Sequence, residues 1–215
     1  MPTSDPTPDM QFDDMPQQVR AGVMGMWVFL ITELLLFGGL FAAFTIFRVQ
    51  HAEVFAEAAR HLDLILGSIN TLLLLTSGLF MVLAEQAVSA RKRGLALWFL
   101  AGTVTLGVVF LGIKGFEWHK EFSHHLMPIL DLEFRYPGEH PAIAEMFFNF
   151  YFALTGLHAV HMFLGLVTLL VMAVLVGRWR QPSRLDRQIH VVGLYWAFVD
   201  VIWIFVFTTL YLLRA

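Results

Sequence analysis

Five apolar runs, each longer than twenty residues, dictate what this 215-residue chain can fold into. They fall near residues 22–48, 62–87, 94–117, 144–177 and 189–213. A hydrocarbon core about 30 Å thick is crossed by about 20 helical residues, so each run is long enough to span it. In lipid every backbone N–H and C=O must be paired within the structure, which leaves helices or a closed barrel. A barrel needs alternating segments of about ten residues, and runs such as LITELLLFGGLFAAF and NTLLLLTSGLFMVLA do not alternate. The expected fold class is therefore all-α: a polytopic membrane protein whose residues 22–215 form a bundle of five transmembrane helices. Residues 1–21 read as an acidic, Pro-rich cytoplasmic tail.

Composition points the same way. Apolar residues make up 58% of the chain and charged ones only 14%, against about 25% in a soluble domain, too few to clothe a globular surface. Mean hydropathy is +0.68. A net charge of −3 excludes a nucleic-acid binder, which needs a basic face to neutralise phosphates. The absence of Cys removes disulfides, Cys-ligated iron–sulfur clusters, thiolate-bound haem and copper sites built on thiolates. The tail carries Asp5, Asp9, Asp13 and Asp14 ahead of any basic residue and so lacks the positive region of a signal peptide. Trp98 and Trp118 bracket the third run at a separation that suits two interfacial anchors.

Basic residues set the expected orientation. Arg20, Arg91, Lys92, Arg93, Arg178, Arg180, Arg184 and Arg187 fall on one side and are concentrated in short connections. Arg48, Arg60, Lys114, Lys120, Arg135 and Arg214 fall on the other, diluted by neighbouring carboxylates. The positive-inside rule places the N-terminus in the cytoplasm and the C-terminus outside. One long connection, 119–143, lies on the outer side and holds His119, His124, His125 and His140. Adjacent His124 and His125 diverge in direction and no ligand spacing matches a metal cage, so these read as surface residues. No internal repeat signals a transporter built from inverted halves.

The most informative residues are polar groups inside the runs. Glu33 lies about eleven residues into the first and Asp200 about eleven into the fifth, counted from the same side. An ionisable group at the bilayer centre costs about 2.5–3.5 kcal/mol, so two carboxyls at one depth call for pairing, protonation or a cavity. In the fourth run Tyr151, Thr155 and His158 share a face, with His161 one turn further; Asn70 and Ser68 add polar groups from the second. Together they form either a proton-handling or ligand-binding site, or interhelical hydrogen bonding at about 0.6 kcal/mol per bond. Trp196, Asp200 and Trp203 share a face of the fifth run, a packing seam for another helix of this chain or of another subunit. Lys114 and Glu117 read as a snorkelling ion pair that closes the third helix near the interface. Haem ligation by His158 and His161 is disfavoured because both sit on one helix, whereas axial ligands come from opposed positions.

Four strings carry a family likeness: MWVFLITELLLFGGLFAAF, LGSINTLLLLTSGLFMVLA, FFNFYFALTGLHAVHMFLGL and GLYWAFVDVIWIFVFTTLYLL. In that order they resemble the last five helices of subunit III of haem–copper terminal oxidases, over almost all of 22–213. The resemblance implies a subunit of the respiratory chain in a bacterial-type inner (cytoplasmic) membrane, with no catalytic or metal centre of its own. Haem and copper would lie in partner subunits, the haem-bearing subunit I and with it subunit II. It implies phospholipid held in a cleft, and support for the stability and proton uptake of the neighbour during aerobic electron transport. On that likeness Glu33 matches the family's membrane glutamate, His158 and His161 the two His of the TGLH run, and Asp200 the Asp after YW-x-FV. Asn70, Tyr151, Thr155, Trp196 and Trp203 are supporting candidates.

Two departures qualify it. Longer members have two further N-terminal helices that form one wall of the lipid cleft, where this chain has its acidic tail. Many members also have His where this chain has Ala197. The five-helix form is shared with quinol oxidases and with an accessory protein of nitric oxide reductases. From another class, a small proton-coupled carrier using Glu33 and Asp200 is the main rival.

Overall fold

The computed structural model describes residues 15–123, 126, 127, 136, 138, 140–178 and 182–212. Among these there is no strand. Helix α1 runs Met15–Gln50, α2 Ala52–Arg60, α3 Leu64–Ser89, α4 Arg93–Ser123, α5 Pro141–Arg178 and α6 Pro182–Phe207, continued by a π-helical turn, Thr208–Leu212. Five helices are long and apolar enough to cross a membrane: α1, α3, α4, α5, and α6 with its π turn. Helix α1 already begins at Met15, so helical structure reaches back into the stretch read as tail. His124, His125 and most of the 124–139 connection lie outside the described residues; His119 sits at the end of α4 and His140 directly precedes α5.

Local chemistry accounts for the helix ends. Asp63 caps α3, its side chain accepting from the backbone N–H of Ile65 and Leu66 at 3.1 and 3.2 Å. Pro141 and Pro182 open α5 and α6, where a missing N–H costs nothing. Helix α3 ends in a Schellman turn: Lys92 N donates to Ala87 O and Arg91 N to Val88 O, with Arg91 in the left-handed region at φ 59°. The Arg91 guanidinium then reaches Asp186 of α6 at 2.8 Å, tying this short turn to the start of the last span.

Helices α3, α4, α5 and α6 pack in cyclic order, α6 closing back on α3. Helix α4 shows how: its buried residues Ala96, Leu100, Thr103, Gly107, Phe110, Lys114, Glu117 and Glu121 recur at alternating steps of four and three, one stripe facing the ring interior. Helix α6 is fixed to α3 by its indoles. Trp196 Nε1 donates to Ser77 Oγ and Trp203 Nε1 to Thr71 Oγ1, both at 3.1 Å, and each hydroxyl donates back to a carbonyl of α3. The seam expected at Trp196 and Trp203 is thus made with α3 of the same chain.

Helix α1 lies outside the ring, against α5 and α6. It touches them through one stripe, Leu30, Phe37 and Phe44, spaced seven apart and buried. Met24, Trp27, Val28, Ile31, Leu34 and Leu35 on its other sides are more than half exposed. Glu33 falls on the buried stripe, between Leu30 and Phe37, and so faces the bundle. The short α2, too polar on average to stand out among the apolar runs, seats Phe55 against Phe44 and Phe147 at one end of the bundle.

Candidate functional site

Glu33 on α1 meets His161 on α5: Glu33 Oε2 lies 3.0 Å from His161 Nε2, with side-chain exposures of 17% and 9%. The other ring nitrogen, Nδ1, lies 2.8 Å from the carbonyl oxygen of Leu157. A carbonyl only accepts, so Nδ1 carries the proton. Nε2 and Oε2 can then bond in two ways. Either a protonated Glu33 donates to a neutral imidazole, or an imidazolium donates to a carboxylate. Both forms are net neutral and hold one proton in the gap. The proton can therefore cross between oxygen and nitrogen without changing the charge buried in the membrane, which removes most of the cost of a lone carboxylate there. Tyr195 of α6 donates to the backbone oxygen of His161 at 2.9 Å, and the Phe37 ring packs 5.3 Å from the imidazole, so the ring is held on three sides.

The remaining candidates lie elsewhere. His158 is fully buried, its ring 5.6 Å from Phe110 and 5.2 Å from Trp203, and neither nitrogen has a hydrogen-bond partner. Asn70 is likewise buried, with both amide atoms unpartnered. Thr155 donates to the Tyr151 carbonyl one turn back, and Ser68 to that of Leu64. Asp200 points at Gly78 of α3 and not at Glu33. Of the four residues expected in one polar cluster, the fold brings Glu33 and His161 into hydrogen-bond contact, while His158, one turn before His161 on α5, makes no hydrogen bond and Asp200 faces Gly78. Among the described residues no group of three or more His, Asp or Glu could hold a metal. Both nitrogens of His161 are engaged, and the His158 ring lies against Phe110 and Trp203.

A second polar centre went unread in the sequence. Lys114 and Glu117 do not snorkel: their side chains are 2% and 1% exposed. Lys114 belongs to the same α4 stripe as Phe110, and that stripe, rather than the distance to the helix end, decides where it points. Its Nζ donates to Glu117 Oε2 at 2.9 Å and to the hydroxyls of Tyr151 at 3.2 Å and Tyr211. Each hydroxyl donates in turn to Glu117 Oε1. All three ammonium protons and both hydroxyl protons are used, and the charges cancel. The network joins α4, α5 and the π turn, and Tyr151, a supporting candidate for the Glu33 cluster on its sequence position, belongs to it. The available signal was the four-and-three spacing from Ala96 to Glu121; Tyr211 gave none, since its reach depends on the π turn.

A five-helix membrane bundle with a mid-span Glu–His pair and a His-bearing fourth span defines a recognisable class, and comparison with known proteins agrees. The family model described as cytochrome c oxidase subunit III matches residues 132–214. A cytochrome c oxidase subunit 3 from Thermostichus vulcanus is 35% identical over 196 residues, covering 89% of this chain and 87% of that one. A probable quinol oxidase subunit 3 from Staphylococcus epidermidis is 32% identical over 205 residues, covering 94% and 93%, and one from Staphylococcus aureus is 30% identical over 203. The chain belongs to the subunit III family of haem–copper oxidases.

Proposed function

We propose that this chain is the non-redox subunit III of a respiratory oxidase of the cytochrome c oxidase type, packed beside the haem-bearing catalytic subunit. The observation that carries the reading is the Glu33–His161 pair, a carboxyl and an imidazole 3.0 Å apart at the seam of α1 and α5. It is suited to holding a proton near a neighbour that consumes protons, and to keeping α1 attached to the ring. Haem and copper, which supply the electron transfer and oxygen chemistry, belong to the partner subunits. The largely unpacked apolar surface of α1 suits the acyl chains of bound phospholipid. His158, Asn70, Thr155 and Tyr151 support the interior of the ring, and Trp196 and Trp203 hold α6 to α3. A quinol oxidase is the second reading, supported by relatives of that name with near-complete coverage.

The chain sits in a bacterial-type inner membrane with its N-terminus cytoplasmic, on the basic-residue count above. A reporter fused after Ala215 that is active only in the cytoplasm should stay silent; activity there reverses the orientation. The rival carrier reading is tested by reconstituting the chain alone in liposomes under a proton gradient. The subunit reading predicts a proton flux equal to that of protein-free vesicles, and a saturable flux abolished by Glu33→Gln supports the carrier instead.

A further inference from the structure

Glu121 is a buried carboxyl left over when the charges around it are paired. It lies on the last turn of α4, 2% exposed, and among the described residues its buried Oε2 has no hydrogen-bond partner. It continues the stripe that carries Lys114 and Glu117, one turn beyond Glu117. The titratable groups within its electrostatic reach are Glu117, Lys114 and Lys120 of its own helix, Asp63 at the start of α3 and Tyr151 of α5. Both cations of that set are already matched. Lys114 uses its three protons on Glu117 and two tyrosine hydroxyls. Lys120 Nζ pairs with Asp63 Oδ2 at 3.7 Å. Two positive charges thus meet two negative ones, and an ionised Glu121 would leave the group one charge negative in an interior that solvates charge poorly.

A carboxylic acid that keeps its proton avoids that imbalance, and the way to water is short. The Lys120 and Asp63 side chains are 43% and 31% exposed, so solvent reaches the residue next to Glu121. We propose that Glu121 is a proton-binding site at the α2 end of the ring, separate from the Glu33–His161 pair: it holds a proton while the Lys114–Glu117–tyrosine network is intact and releases it to water at that face as the medium turns alkaline. In the release the carboxyl O–H bond breaks and the proton passes to water. The carboxylate left behind lies one turn from Glu117 and competes with it for Lys114, which loosens the tie between α4, α5 and the π turn. The inference goes beyond the subunit reading and does not depend on it.

The first test needs no variant. In the full-length wild-type chain, reconstituted in lipid, the side-chain carboxyl carbon of Glu121 is followed by nuclear magnetic resonance, assigned through its own backbone, from mildly acid to mildly alkaline medium. The resonance should start at the position of a protonated acid and shift to that of a carboxylate. A carboxylate position already in mildly acid medium overturns the proposal, as does an acid position that never moves. The second test asks whether the proton matters to the network. The unfolding temperature of the wild-type chain should drop as the medium turns alkaline, because the folded state must then give up a proton that the unfolded state has already lost. Glu121→Gln, which keeps the size and the neutral charge, should match the wild type in acid and show a smaller drop in alkali. An equal drop in both chains refutes the link between Glu121 and the network. If the variant does not fold, the same link is read in the wild-type chain from the Lys114 ammonium and Tyr211 hydroxyl resonances. They should shift together with the Glu121 carboxyl, and resonances that stay fixed while it titrates refute the link.

Discussion

Glu33 and His161 are 128 residues apart in sequence and 3.0 Å apart in space. Each was legible alone as a polar side chain out of place in lipid. Their pairing was not, because helical periodicity tells which face a residue occupies and says nothing about the register between two helices. Equal depth suggested Asp200 as Glu33's companion, but the two carboxyls sit on different seams, α1–α5 and α3–α6. Glu33→Gln tests the pair at its own scale. The amide can still donate to Nε2 of a neutral His161, so the variant should assemble normally. It can no longer exchange a proton with the ring, so turnover of the complex should start at the wild-type rate and decay sooner, as followed by oxygen consumption over repeated cycles. Turnover that stays level, with intact assembly, would reduce the pair to interhelical bonding.

Helices α4, α5 and the π turn are joined by one buried ion pair and two hydroxyls. Breaking one side of such a pair leaves the other charged in a medium that cannot solvate it, a loss of about 3–5 kcal/mol. Replacing both sides by apolar groups of similar volume is close to neutral by the same argument. Lys114→Met and Glu117→Gln should therefore each lower the unfolding temperature sharply, while Lys114→Met combined with Glu117→Met should recover much of it. Additive losses in the double variant would mean that the charges are not coupled. The existence of α4 was plain from its hydropathy, but its apolar length also suggested that charges near its end belong to the interface. The four-and-three stripe overrides that expectation: a side chain follows its face of the helix, and this face looks into the ring. The π turn was invisible to periodicity, yet it delivers the Tyr211 hydroxyl.

At the scale of the whole molecule, five spans and their order follow from the need to pair every backbone polar group in lipid, which is why they could be read from the chain alone. The arrangement of four helices in a ring with α1 outside follows from side chains: indoles that need hydroxyl partners on α3, and a first span with a single buried stripe. That arrangement leaves broad apolar surface exposed on α1. The most direct test of this account is to tag the chain in its native membrane, purify it in mild detergent and record the absorbance spectrum of what comes with it. A haem spectrum that stays with the tag through size exclusion is the predicted result. A monodisperse, haem-free preparation of this chain alone would contradict the account.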